Sequence, residues 1–149
     1  MTDDMTPEQR RRNMQHIRSI DSTPEVFVRK LLFHAGYRYR KNDKRIEGKP
    51  DIYLPKYQTV IFINGCYWHR HQNCRKRLSV PATNEDYWVK KFERNIRRDN
   101  EVRESLQTKY KMIVIWECAV REYKKNPVAL LDLLRGIIEN GEIGYYEIN

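Results

Sequence analysis

At 149 residues, 40% hydrophobic and 11% aromatic, the chain carries material for one packed core and not for two. Lysine and arginine outnumber aspartate and glutamate by 29 to 20, a formal charge of +9, which suits a polyanion and puts nucleic acid ahead of a membrane surface as partner. No run approaches the ~20 apolar residues of a membrane span, Met1 to Met14 lacks a signal-peptide core, and three cysteines are too few for a secreted disulfide scaffold, so a soluble cytoplasmic protein is expected.

Residues 1–20 form a polar, Arg-rich arm, with a helix expected over Glu8 to Ile20. Ser22 or Thr23 can cap the next helix, with Pro24 and Glu25 in its first turn, Val28, Leu31, Leu32 and Ala35 on one side, and Gly36 at its end. Tyr37 to Lys41 alternates like an edge strand, and Lys49-Pro50-Asp51 turns into a short strand over Ile52 to Leu54. Thr59 to Asn64 is a near-continuous β-branched and aromatic run, hence a buried strand that Gly65 breaks. Residues 66–83 read as a loop. Asn84 can cap a long helix to about Lys109, in which Trp88, Phe92 and Ile96, then Val102 and Leu106, recur at helical spacing, and Phe92 and Ile96 can hold it on the sheet. Lys111 to Trp116 is a second buried strand, and Pro127 to Glu139 a last helix with Leu130, Leu131, Leu134, Ile137 and Ile138 inward. This order predicts one α/β domain over 1–149, a mixed central sheet flanked by helices; parallel pairing of the two buried strands across the long helix would need a right-handed crossover.

The chemistry concentrates in Gly65-Cys66-Tyr67-Trp68-His69-Arg70-His71-Gln72-Asn73-Cys74. Cys66, His71 and Cys74, with Cys118 at the end of a buried strand, offer the thiolate and imidazole donors that tetrahedral structural zinc prefers. The bland alternative makes Cys66 and Cys118 core residues and leaves the histidines on the surface. His69 could replace His71 as ligand; whichever is spared stands free to accept a proton from water at neutral pH. Asp51, opening a strand after Pro50, is a hard-oxygen ligand suited to Mg²⁺ in phosphodiester hydrolysis, although Pro-Asp is more often a turn. The Val60 to Asn64 strand lacks the acid-x-Lys pair of many metal nucleases, which leaves the role of general base to His69. Trp88, Lys91, Asn95 and Asp99 fall on one helical face, a poor core but a good base-reading surface. Tyr67, Trp68 and Trp88, flanked by Arg70, Arg75, Lys76, Arg77, Lys90 and Lys91, suit a wedge between stacked bases.

These residues resemble the very short patch repair (Vsr) mismatch endonucleases of bacteria over roughly 8–125. The landmarks are Arg12-Asn13-Met14, Thr23-Pro24-Glu25, Gly48-Lys49-Pro50-Asp51, Gly65-Cys66-Tyr67-Trp68-His69, Pro81-Ala82-Thr83, Tyr87-Trp88 and Trp116-Glu117-Cys118. The resemblance implies a restriction-endonuclease-like core with a zinc-stabilised loop. It implies an Mg²⁺-dependent nick 5′ to the mismatched T of a T:G pair in double-stranded DNA. It further implies that Asp51 and the Ile63 backbone carbonyl bind Mg²⁺, that His69 is the general base, and that Glu25 and Asp99 are supporting acids. Cys66, His71, Cys74 and Cys118 match zinc ligands; Tyr67, Trp68 and Trp88 match intercalating aromatics; Met14 matches an insertion from the other groove; Lys91 and Asn95 match mismatch contacts. A monomer acting at the bacterial nucleoid, with other repair proteins as further partners, is the corresponding expectation. Ile63 and Asn64 depart from the threonine and second histidine of the family pattern, and Cys74 comes one residue late. The readings that compete are a restriction endonuclease of the same fold that cuts paired DNA, and a zinc-stabilised nucleic-acid-binding module without catalysis.

Overall fold

The computed structural model describes residues 22–66, 69–71 and 83–149. The predicted arm and helix over 1–20, with Met14, therefore lie outside the described residues, as do Tyr67, Trp68 and Cys74. Helix α1 spans Thr23–His34, with Pro24 and Glu25 in its first turn, and Ser22 at the N-cap makes no side-chain capping bond. Its end is a Schellman turn: Tyr37 N–H donates to the Leu32 carbonyl, Gly36 N–H donates to Phe33, and Gly36 takes φ +99°. That turn corrects the edge strand expected over Tyr37 to Lys41. The Tyr37 N–H is spent on the helix and its ring is buried, so strand β1 is only Arg40–Lys41.

Strands β2 (Ile52–Leu54), β3 (Thr59–Asn64), β4 (Lys111–Trp116) and β5 (Gly144–Ile148) follow in sequence and in space. The sheet is mixed: β1/β2 and β2/β3 are antiparallel, β3/β4 and β4/β5 parallel. Parallel strands need a crossover. Helix α2 (Glu85–Leu106) supplies the one from β3 to β4, and helices α3 (Glu117–Tyr123) and α4 (Pro127–Asn140) supply the one from β4 to β5. Helix α3, which begins where β4 ends, and β5 were not predicted.

The alternation of side chains divides the core in two. Ile61, Ile63, Ile113, Ile115 and Ile148 pack against Val28 and Leu32 of α1, Ala119 and Val120 of α3, and Leu130, Leu134 and Ile138 of α4. On the other face Val60, Met112, Val114 and Trp116 pack against Val102 and Leu106 of α2, with Cys66. Strands covered on both faces explain the unbroken apolar runs in β3 and β4. Ile96, expected to hold α2 on the sheet, is 41% exposed; of the α2 residues it is Phe92, Val102 and Leu106 that are buried. Ile96 instead lines, with Met112 and Val114, an open space between α2 and the sheet.

Candidate active site and metal cluster

The parallel strands β3 and β4 both end toward one side of the sheet, where open α/β sheets carry their sites. Asp51 sits just before β2, at that same end of its antiparallel neighbour β3, and its Oδ2 accepts from the Ile63 N–H at 2.7 Å. In an extended strand the N–H and C=O of one residue face the same side, so the Ile63 carbonyl is also directed toward Asp51. Continuing the β2/β3 register places Pro50 opposite Ile63, and proline has no N–H to offer that carbonyl. Burial pushes the Asp51 carboxyl up to about 7, against the Ile63 N–H, which lowers it. Glu25 reinforces the rise, while Arg29 and His69 oppose it, so all three are near enough for Asp51 to feel their charge. Glu25 and Arg29 are both buried on α1, one helical turn apart, with Oε2 3.6 Å from the guanidinium.

His69 follows the break at Gly65, its N–H donating to the Gly65 carbonyl at 3.1 Å. Its Nδ1 lies 2.6 Å from Asp99 Oδ2 on α2. An Nδ1–H donated to this carboxylate leaves the lone pair on Nε2, the arrangement a general base requires. Arg70, at φ +52°, turns the chain, and its guanidinium stacks 4.0 Å over the Phe92 ring, tying the turn to α2. Both histidines are thereby aimed differently although only one residue separates them.

His71 is 2% exposed, and its imidazole stacks on Trp116 with centroids 4.1 Å apart and planes 7° from parallel. Its Nδ1 faces Cys118 Sγ at 3.5 Å, and the donor atoms of Cys66, His71 and Cys118 all lie within 4.8 Å of one another. Two thiols and an imidazole nitrogen converging in a mostly buried place fit a tetrahedral zinc-type centre better than three core residues packed by chance. Of the two histidines it is His71 that joins the thiols. Cys118 reaches them from the first turn of α3.

The predicted helical stripe is only partly brought together. Trp88, Lys91, Asn95 and Asp99 are all half-buried along α2, and the Lys91 ammonium lies 5.2 Å over the Trp88 ring. Asn95 and Asp99 open, with Asn64, His69, Trp116 and Glu147, onto a cavity of about 530 Å³ between α2 and the sheet; Trp88, Lys91 and Asp51 are not among the described residues lining it. Sequence reasoning missed Arg29, whose spacing from Glu25 on an apolar helix face was the available signal. It also missed Glu147 and Asn149, which no motif marks, and read Trp116 only as the end of a strand and a landmark of the resemblance, with no place at the site.

The family model described as DNA mismatch endonuclease Vsr matches residues 2–76. The chain is 48% identical over 122 residues to the type II nicking enzyme V.NmeAIP of Neisseria meningitidis serogroup A, covering 81% of this chain and 86% of that one. It is 40% identical over 123 residues to the type II nicking enzyme V.XorIIP of Xanthomonas oryzae pv. oryzae, covering 82% and 89%. It is 35% identical over 117 residues to the DNA mismatch endonuclease Vsr of Escherichia coli, covering 78% and 74%.

Proposed function

The chain belongs to the Vsr family of DNA mismatch endonucleases, and from that membership we propose that it nicks one strand of duplex DNA 5′ to the mismatched T of a T:G pair, using Mg²⁺. The observation that carries this reading is the His69–Asp99 pair, 2.6 Å apart and open to the cavity between α2 and the sheet. His69 Nε2 takes a proton from the attacking water. Asp99 holds the ring and stabilises the imidazolium that results. Asp51 and the Ile63 carbonyl would hold Mg²⁺, with Glu25 behind them; when bound, the ion stabilises charge on the phosphorus oxygens and the leaving oxygen. The donor chemistry fits, since a half-buried carboxylate and a carbonyl facing a proline are hard oxygen ligands. Arg29 holds Glu25 and offsets part of the negative charge gathered there.

Cys66, His71 and Cys118 would bind structural zinc, with Cys74 as the fourth ligand from the sequence. That centre would hold the turn carrying His69 against β4. Lys91 and Asn95 would contact the mispaired bases, and Tyr67, Trp68, Trp88 and Met14 would wedge into the stack. The protein would act as a single-domain monomer in the bacterial cytoplasm, on nucleoid DNA and alongside other repair proteins. Among the described residues no helix is long and apolar enough to cross a membrane.

The test is a strand-resolved nicking assay with Mg²⁺ on T:G, other mismatched and fully paired duplexes. Nicking of the T strand of T:G duplex alone is expected. Cleavage of paired duplex at equal rate would replace the proposal with a restriction-type activity.

A further inference from the structure

The Cys66–His71–Cys118 cluster is supported by a segment outside the resemblance that pointed to it. The imidazole of His71 is buried, so both of its nitrogens need a partner. Nδ1 faces the thiols; Nε2 lies 2.6 Å from the Asn149 side-chain oxygen. Asn149 follows β5, whose register beside β4 pairs Ile115 with Ile148 and so brings the next residues, Trp116 and Asn149, alongside each other. Ile148 points into the opposite core and is 5% exposed, which anchors the strand and sends residues 147 and 149 toward the cluster. Glu147 Oε1 accepts from the Trp116 indole N–H at 2.6 Å, and Trp116 is the ring on which His71 stacks.

We propose that Asn149 is a positioning residue for the metal centre: its side-chain oxygen accepts the His71 Nε2–H and so presents the Nδ1 lone pair to the ion, while Glu147 fixes the ring beneath. Glu147 of β5 and Asn149 just after it then set the two degrees of freedom of this ligand. The Trp116 plane sets its tilt, and Asn149 sets its rotation and tautomer. Outer partners of this kind commonly tune metal affinity about 10- to 100-fold. The inference rests on reading the cluster as a zinc centre.

Zinc affinity of the full-length protein is measured by competition with a chromogenic chelator, for the parent, Asn149→Ala and Asn149→Asp. Cobalt-substituted samples report ligand geometry through their visible absorption. The parent is expected to bind zinc, Asn149→Ala to bind it 10- to 100-fold more weakly with a shifted cobalt band. Asn149→Asp, whose carboxylate accepts the same hydrogen bond, is expected to restore both. Equal affinity and spectrum in the parent and Asn149→Ala would remove the role of Asn149 and leave the zinc centre standing. A loss that Asn149→Asp fails to repair would likewise overturn it, because packing and not the acceptor would then matter. A parent that binds no zinc would overturn the cluster reading, and this inference with it.

Discussion

His69 Nδ1 and Asp99 Oδ2 lie 2.6 Å apart although thirty residues separate them in the chain, one on the turn after β3 and the other on α2. The contact is partly buried, so the carboxylate acts on the imidazole with less screening than at an open surface. It also decides which nitrogen is free. Asp99→Asn keeps the size of the side chain and offers an amide that can donate to Nδ1, reversing the tautomer. The nicking rate on T:G duplex is expected to fall about 10²- to 10⁴-fold, with duplex binding unchanged by titration. An undiminished single-turnover rate would remove His69 as the base.

Asp51 carries the pH dependence. Its carboxyl is raised from an ordinary 3.8 to about 7, chiefly by burial. Between those values the folded protein retains a proton that the unfolded chain has released. Metal-free stability therefore falls as pH rises through this window, by at most about 1.4 kcal/mol per pH unit, and levels off above it. Asp51→Asn is expected to flatten that slope, as read from denaturation midpoints at pH 5 and pH 8. Identical slopes in the two proteins would contradict the burial assigned to this carboxyl.

On the proposed reading the same carboxyl holds Mg²⁺ only when ionised, so proton and ion would compete for it. At limiting Mg²⁺ the nicking rate is expected to climb as pH passes about 7, and at saturating Mg²⁺ the midpoint should move to lower pH. Asp51→Ala should abolish nicking and leave DNA binding nearly intact. A midpoint independent of Mg²⁺ concentration would argue against Asp51 as the ligand.

Cys118 tests the cluster from the α3 side. Cys118→Ser is expected to lower metal content and thermal stability together, because zinc bound by a folded cluster adds its binding energy to folding. At this chain length each kcal/mol lost lowers the melting midpoint by about 2–4 °C, and a fall of roughly 5 °C or more is expected. Retention of zinc at the parent level by metal analysis would remove Cys118 from the ligand set.

Asn95 reaches the cavity beside His69, whereas Lys91 lies one turn away over Trp88. Asn95→Ala should lower discrimination of T:G over paired duplex by about 1–3 kcal/mol, roughly 5- to 150-fold in relative affinity. Lys91→Ala should weaken both duplexes more evenly. Equal selectivity of Asn95→Ala and the parent in competitive binding would take Asn95 out of mismatch reading.

The sequence alone determined the layered α/β class, the two buried strands to the residue, and the chemistry available between Cys66 and Cys118. Apolar runs and rare donor residues are local signals, because burial on both faces and metal-type ligation each demand particular residue types in place. Only the tertiary structure decided which histidine joins the thiols. His69 and His71 are chemically alike, and what separates them is the left-handed turn at Arg70 together with Asp99, Trp116 and Asn149, all distant in the chain. It also decided that Ile96 lines the open cavity and is not packed down on the sheet, and that residues 144–148 form the fifth strand. The β5 segment carries no strong pattern of its own, and its conformation is set by the edge that β4 offers it.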